Sequence, residues 1–493
     1  MTARAATDVS LTLDRTDHRS LPVQVADALR AQITSGVLAP GESVPSTRHL
    51  SERLGISRGT VVTAYDQLLG EGYLQASQGQ PTVVHPALNK IHPRFSGQPK
   101  SAGTQNSFRN TDGATALTDT DTQSLVDLRP GQPDSSRVAG PAWRAAWRHA
   151  AAQPTDLSPA PIGLDLLREA VAEHLRLMRA LPVPASSLVV TAGAREGLTL
   201  LLAATARRNG RAQLRVGLEA PGHPGLREVP STHGHTVVPC PVDRNGLRVD
   251  QLPTGRNAPD VLVVTPSHQY PLGGSLTLER RLELLDWAHR WDVLLVEDDF
   301  DSELRYVGSP LPTLSALDAL GEQVALLGTF STLLTPSLAT GYVTAPENLL
   351  PAVRHIRETL GVPVAAITQF ALAHLLSSGQ VRRHTQRMRT EYRRRRDAVQ
   401  AVFSEATHAQ LVPMHGGIDA VIHTDRPEQD VIAACRERGL VVGGQSEYWT
   451  WGDGKVSPTG DRGHGVVVGF ARPDDSDFQR VLPVLLEVCD RPE

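Results

Sequence analysis

Between residues 86 and 124 the chain has scarcely one apolar residue placed at the period of a helix or a strand. Ser, Thr, Asn, Gln, Gly, Asp and Pro dominate, so the stretch cannot bury enough apolar surface to offset the entropy of ordering it. It reads as a solvated linker, and it splits the 493-residue chain into a short N-terminal part and a long C-terminal part that fold around separate cores.

Residues 18–85 carry a compact helical pattern. Val25, Leu29 and Ile33 recur at i, i+4 and i+8, the stripe of an amphipathic helix that Gly36 and the pair Pro40-Gly41 end. A short helix then carries Leu50 and Leu54 and stops at Gly55. Ser57 is placed to cap a third helix, whose buried stripe is Val61, Tyr65, Leu68 and Leu69. Alternation in Tyr73-Leu74-Gln75 and Thr82-Val83-Val84, around Gln78-Gly79-Gln80-Pro81, predicts a two-stranded wing. Three helices and a hairpin make a winged helix-turn-helix, mainly α. In that motif the start of the second helix of the pair reaches base edges and phosphates of double-stranded DNA. Here that start offers Ser57, Arg58 and Thr60, the preceding helix offers Arg48, and the wing turn offers Gly79. The unit is neutral, with five arginines against five acidic residues, so an interaction domain that never touches DNA is the alternative.

The spaced segments Pro45-Ser46-Thr47-Arg48-His49-Leu50, Leu54-Gly55-Ile56-Ser57-Arg58-Gly59-Thr60-Val61 and Glu71-Gly72-Tyr73-Leu74 resemble the GntR family of bacterial regulators over some 55 residues. The resemblance implies a sequence-specific operator as partner. The wing departs from the family, which has a GSGT turn where this chain has Gly79-Gln80-Pro81-Thr82.

From residue 125 to 493 short apolar runs alternate with longer helical patterns. Leu188–Val190, Val261–Val264, Val293–Val296 and Val324–Leu327 are candidate buried strands of an α/β domain with a mostly parallel sheet. The large lobe is expected at about residues 150–350 and a smaller α+β lobe from about 380. Ligand groups in such a sheet belong at the carboxyl ends of the strands, where Thr191-Ala192-Gly193, Ser267-His268-Gln269 and Glu297-Asp298 fall. The run Arg382–Arg396, with eight arginines and one acid, reads as the solvated face of a long helix rather than a second DNA contact.

Composition narrows the class. A net charge of −4 gives no global pull toward nucleic acid, and no apolar run approaches the ~18 residues of a membrane span. Residues Met1–Arg19 lack the apolar core of a secretory signal. Cys240, Cys435 and Cys489 are scattered without CxxC spacing, which predicts neither disulfides nor a metal site and suits the cytoplasm.

The C-terminal part resembles the fold type I aminotransferases. The carrying motifs are Leu128-Arg129-Pro130-Gly131-Gln132-Pro133-Asp134, Glu219-Ala220-Pro221-Gly222-His223-Pro224-Gly225, Thr265–Gly273 and Glu297–Tyr306. Fusion of that domain to a GntR head is similar to the MocR-type regulators. That likeness implies a head-to-tail homodimer, pyridoxal phosphate as the family cofactor, and a small-molecule effector. By the same likeness, Gly193, Ala194 and Arg195 start the helix beneath the cofactor phosphate. Asp298 pairs with the pyridine nitrogen, His268 and Gln269 flank the ring, and His223 stacks on it.

Four positions break the family pattern. Ser331-Thr332 stands where the motif GTFSK has the lysine that carries the cofactor, and a threonine hydroxyl cannot form an imine. Ala339 replaces a phosphate-binding arginine, Phe300 a tyrosine that bonds the ring oxygen, and Ser158 a tyrosine lent by the partner subunit. Each lost charge-assisted bond is worth roughly 1.5–3 kcal/mol. Of 49 basic residues only Lys90, Lys100 and Lys455 are lysines. The expectation is a transcription regulator with no catalytic residue and no covalent cofactor, pyridoxal phosphate being lost. The alternatives are a regulator that binds pyridoxal phosphate noncovalently and a working aminotransferase with a DNA-binding head. Asp298 as a core partner, Gly193-Ala194 as a tight turn, and His223 and His268 as structural histidines remain the bland readings.

Overall fold

The computed structural model describes residues 21–34, 37–39, 41–70, 74–76, 81–84, 125–154, 159–179, 181–307, 312–318, 321–449 and 465–492. It divides into two compact units, residues 1–107 and 108–493.

In the first unit α1 (Leu21–Thr34), α2 (Thr47–Leu54) and α3 (Arg58–Gly70) precede the antiparallel pair β1 (Leu74–Gln75) and β2 (Val83–Val84). Val25, Leu29, Leu50, Val61, Tyr65 and Leu68 close one core, with Leu74 and Val84 from the wing. Ser46 caps α2 by accepting from the His49 amide at 3.2 Å, and Gly55 ends it in the left-handed region at φ 60°. The buried Tyr65 hydroxyl donates to the Pro45 carbonyl at 2.6 Å, tying α3 to the entry of α2.

The second unit begins with β3 (Val126–Asp127), α4 (Pro141–Ala151) and α5 (Asp165–Arg179). The large lobe then builds an eight-stranded sheet from β4 (Leu188–Thr191), β5 (Arg215–Ala220), β6 (Thr236–Asp243), β7 (Gly246–Leu247), β8 (Val261–Val264), β9 (Leu294–Asp298), β10 (Val324–Thr329) and β11 (Gly341–Thr344). Its order is β4-β11-β10-β9-β8-β5-β6-β7. Strands β10, β9, β8, β5 and β6 run parallel, while β11 lies antiparallel between β10 and β4. Crossover helices include α6 (Ala194–Arg208), α7 (Pro224–Thr232) and α8 (Leu278–Trp291). All four strands expected from apolar runs are present. Strands β5, β6 and β11 were not legible, because β6 carries Pro239 and Pro241, β5 is interrupted by Gly217, and β11 has only four residues.

Helices α9 (Leu350–Leu360), α10 (Ala366–Ser377) and α11 (Gln380–Phe403) lead to the smaller lobe. There β12 (Ala409–Leu411), β13 (Asp419–Thr424), β15 (Gly443–Gly444) and β16 (Gly465–Gly469) form an antiparallel sheet in the order β12-β13-β16-β15. Helices α12 (Glu428–Glu437) and α13 (Asp475–Cys489) pack on it. The lobe also recruits the start of the unit, since β14 (Leu440–Val441) pairs in parallel with β3. The arginine run lies on α11, but not all of it is solvated. Arg395 is fully buried, donates to the carbonyls of Phe470, Ala471 and Pro473, and meets Asp475 at 2.9 Å. All three cysteines are buried and free, Cys240 in the large lobe and Cys435 and Cys489 in the smaller. No helix among the described residues is long and apolar enough to cross a membrane.

Candidate functional site

At the start of α3 the Ser57 hydroxyl accepts from the Thr60 amide at 3.2 Å and meets the Thr60 hydroxyl at 2.8 Å. These two expected DNA contacts thus also cap the helix they begin. Arg58 is exposed and makes no hydrogen bond or ion pair among the described residues. Arg48 pairs with Glu52 one turn on, 3.0 Å apart and with both side chains largely exposed. Such a pair is worth little in water and leaves the guanidinium free to exchange partners. Gly79 lies outside the described residues.

Strand register gathers the second set. Thr329 lies opposite Gly341, and Gly341 opposite Thr191, so the ends of β10, β11 and β4 are level. Two or three residues further come the Ser331-Thr332 turn, Ala339, and Gly193 at the start of α6. Gly193 takes φ 91°, a conformation that suits glycine, and no side chain caps the helix there. The first amides of α6 therefore have no side-chain cap at Gly193. Glu196 reaches back to the Ala192 amide at 3.1 Å and also pairs with the buried Arg357. Ala194 is half-buried, and the exposed Arg195 lies across Gly225 at the start of α7. Thr329 Oγ1 accepts from the Ser331 amide at 3.1 Å and shapes the turn in which Thr332 is half-buried. Ala339 is exposed and left-handed at φ 42°. Ser158 and all three lysines lie outside the described residues.

Deeper in the large lobe, Asp298 closes β9 beside Leu327 of β10. It is buried, its Oδ1 has no hydrogen-bond partner, and burial followed by the charges of Asp299, Asp301 and Glu219 raises its pKa well above the carboxylate range. Glu219, His223, Thr265 and Asp298 surround a cavity of about 20 Å3. Glu219 takes bonds from the Thr265 hydroxyl at 2.5 Å and its amide at 3.2 Å, while burial pushes its carboxyl up to about 7. Gln269 points inward, donating to the Pro221 and Tyr270 carbonyls and, at 3.4 Å, to Glu219. His223 caps α7 through Nδ1, which accepts from the Gly225 amide at 3.1 Å. Its ring lies 5.1 Å from Tyr270, and Phe300 meets Tyr270 edge-on at 5.5 Å.

His268 faces the other way. Its Nδ1 is 2.7 Å from Asp301; burial opposes the imidazolium, but the charge and hydrogen bond of Asp301 together with the charge of Asp419 outweigh it, so the pKa is raised. Glu219, Tyr270 and Asp301 were missed as site residues. A carboxylate ending an apolar strand was the available signal for Glu219. No group of three His, Cys, Asp or Glu side chains among the described residues could hold a metal ion.

The family described as "Bacterial regulatory proteins, gntR family" matches residues 21–84, and "Aminotransferase class I and II" matches residues 124–463. The chain is 44% identical over 475 residues to the HTH-type pyridoxine biosynthesis transcriptional regulator PdxR of Corynebacterium glutamicum, covering 96% of this chain and 97% of that one. It is 32% identical over 388 residues to a probable rhizopine catabolism regulatory protein, MocR, of Rhizobium meliloti, covering 78% and 77%. Among solved structures, an archaeal alanine:glyoxylate aminotransferase superposes with a TM-score of 0.65 at 22% identity, over 74% of this chain and 91% of that one. The kynurenine aminotransferase of Pyrococcus horikoshii gives 0.65 at 20%, over 75% and 91%. These last two likenesses carry the fold alone.

Proposed function

The chain belongs to the MocR-type GntR regulators, a winged helix-turn-helix fused to an aminotransferase class I and II domain, and on that premise we propose a DNA-binding transcription regulator whose second domain has left pyridoxal chemistry. Residues 18–85 bind an operator, 86–124 link, and 125–493 dimerise and sense a small molecule in the cytoplasm.

One observation carries the loss of chemistry: no residue from 101 to 454 is a lysine. Pyridoxal phosphate, when bound in this fold, supplies an aldehyde and an electron-withdrawing ring to a lysine amine. Asp298 suits the pyridine nitrogen, since its buried Oδ1 lacks a partner, and the uncapped start of α6 suits a phosphate. The other contacts do not suit the group. Phe300 brings no hydroxyl, Ala339 brings no charge, and Thr332 brings no amine. The set therefore does not fit a covalently held cofactor, and no catalytic step is assigned to it.

What the pocket's own residues do is hold protons. Burial favours the protonated form of Asp298 and lifts Glu219 to about 7, where it is about half protonated, so the pair can offer an O–H to a ligand or accept an N–H from one. The unpartnered Asp298 oxygen also favours the second reading, a noncovalently held pyridoxal phosphate as effector.

Dimerisation has its own support. Leu360 and Ile367, at 71% and 45% exposure, flank the connection between α9 and α10, where a second copy would cover them. The deciding experiment adds pyridoxal phosphate to the purified protein, reduces with borohydride, and weighs it. No pyridoxyl adduct and no visible absorption band are expected. An adduct at Lys455 or within the pocket overturns the reading, and a band that survives dialysis without an adduct selects the noncovalent one.

A further inference from the structure

We propose that the aminotransferase-like unit carries another ligand site, a cavity of about 520 Å3 between α4 and the first turns of α11, which takes a small organic anion with a flat apolar body. The volume lies within the ~300–1,000 Å3 of small-molecule sites. Two features of the cavity wall fix the ligand's chemistry.

The wall holds two guanidinium groups, Arg137 and Arg387, and no carboxylate. Arg137 is committed to Asp134 at 2.9 Å. Arg387 is exposed on the cavity wall and makes no hydrogen bond or ion pair among the described residues, so its guanidinium is free to take a ligand. A carboxylate or phosphate meets a guanidinium through two parallel N–H bonds, which gives geometry as well as attraction.

The remaining wall is apolar. Leu334, Leu375 and Val381 are buried beneath it, and Trp143 stands at its edge, held by Trp147 at 5.6 Å in an edge-to-face contact. A ring placed there is partly removed from water, a gain an inorganic anion lacks.

The cavity also has a way to report its occupancy. His384 on the wall is hydrogen-bonded to the Leu333 backbone, and burial followed by the nearby Arg387 charge lowers its pKa. The Leu334 amide donates to the Phe330 carbonyl at 2.9 Å and closes the turn that contains Thr332. An anion on Arg387 relieves the repulsion on His384, and its apolar body presses on Leu334. Both effects converge on residues 330–334.

The test is calorimetric titration of the full chain with phenyl phosphate, phenylacetate and the neutral benzyl alcohol. Both anions are expected to bind saturably with Kd about 1 mM, in keeping with one ion pair and one partly buried ring, and benzyl alcohol is not. The tighter anion identifies the ligand as a phosphate ester or a carboxylic acid. Arg387→Ala is expected to weaken the tighter anion about tenfold or more and Arg387→Lys less, with the circular dichroism spectrum unchanged. If Arg387→Ala does not fold, Ala142→Glu puts a carboxylate on the same wall and is expected to abolish binding. Wild-type affinity in both variants, equal binding of benzyl alcohol, or no saturation of the wild-type chain by ~10 mM overturns the proposal.

Discussion

Arg179 and Asp299 form a two-pronged ion pair out of contact with water, Nε to Oδ2 and Nη2 to Oδ1 both at 2.9 Å, with side-chain exposures of 2% and 4%. Arg179 ends α5 and Asp299 follows β9, so the pair bolts an outer helix to the central sheet. It also divides labour among three adjacent acids. Glu297 accepts from the Ser315 amide through Oε2, Asp299 is spent on Arg179, and Glu297 Oε1 and Asp298 Oδ1 are both left without a partner.

Removing one member of such a pair strands the other charge in the interior. Arg179→Ala is expected to lower unfolding free energy by about 3–5 kcal/mol, measured by urea denaturation. Replacement of both residues by apolar ones should cost much less.

Operator binding should depend on Arg58 more than on Arg48, because Arg48 already has Glu52 as partner. Arg58→Ala is expected to weaken specific binding about tenfold or more per half-site at fixed salt, by fluorescence anisotropy. Wild-type affinity in that variant would remove Arg58 from the interface.

Glu219 gives a pH signature. Burial raises its carboxyl from 4.5 to about 7, so between those values the folded chain holds a proton that the unfolded chain has lost. The stability tied to that proton is complete below 4.5 and disappears as pH rises through about 7. Glu219→Gln, fixed in the neutral form, should match wild type near pH ~4 and exceed it by on the order of 3 kcal/mol near pH ~8. Thermal melts at the two values check it.

Restoring one atom of chemistry should not restore a cofactor site. Thr332→Lys alone is expected to give no borohydride-trapped pyridoxyl adduct, because Ala339 and Phe300 still offer neither charge nor hydroxyl. Thr332→Lys with Ala339→Arg is the smallest combination expected to recover binding. An adduct in the single variant would mean the phosphate site is intact.

The full chain should sediment as a dimer at roughly micromolar concentration. Leu360→Asp with Ile367→Asp, both exposed in the isolated chain, should shift it to monomer without changing its helical content. A dimer that survives both changes is built on another face.

Much of this was legible in the order of residues. The stripe Val25, Leu29 and Ile33 and the caps Ser57 and Gly55 mark the helices of the first unit, because local period and local capping decide them. Asp298 and Gly193 stand out through strand-end position. The pairing of β3 with β14 joins residues more than three hundred apart, and no local pattern encodes it. The inward turn of Gln269 and the commitment of Asp299 to Arg179 likewise depend on partners distant in sequence. Arg395 shows the limit most clearly. A run of arginines looks like a wet helix face, and one of its members is enclosed by three carbonyls that only the folded lobe supplies.

The sealed cysteines turn the molecule into its own gauge of opening. With Cys240 buried on β6 of the large sheet and Cys435 and Cys489 inside the smaller lobe, a thiol reagent should find no fast-reacting native target. A single cysteine introduced on the exposed start of α3 would then take a dye alone and mark the reading head. Left unlabelled, the native thiols keep time instead: whichever alkylates first names the lobe that breathes first, a local stability map read from masses of peptides.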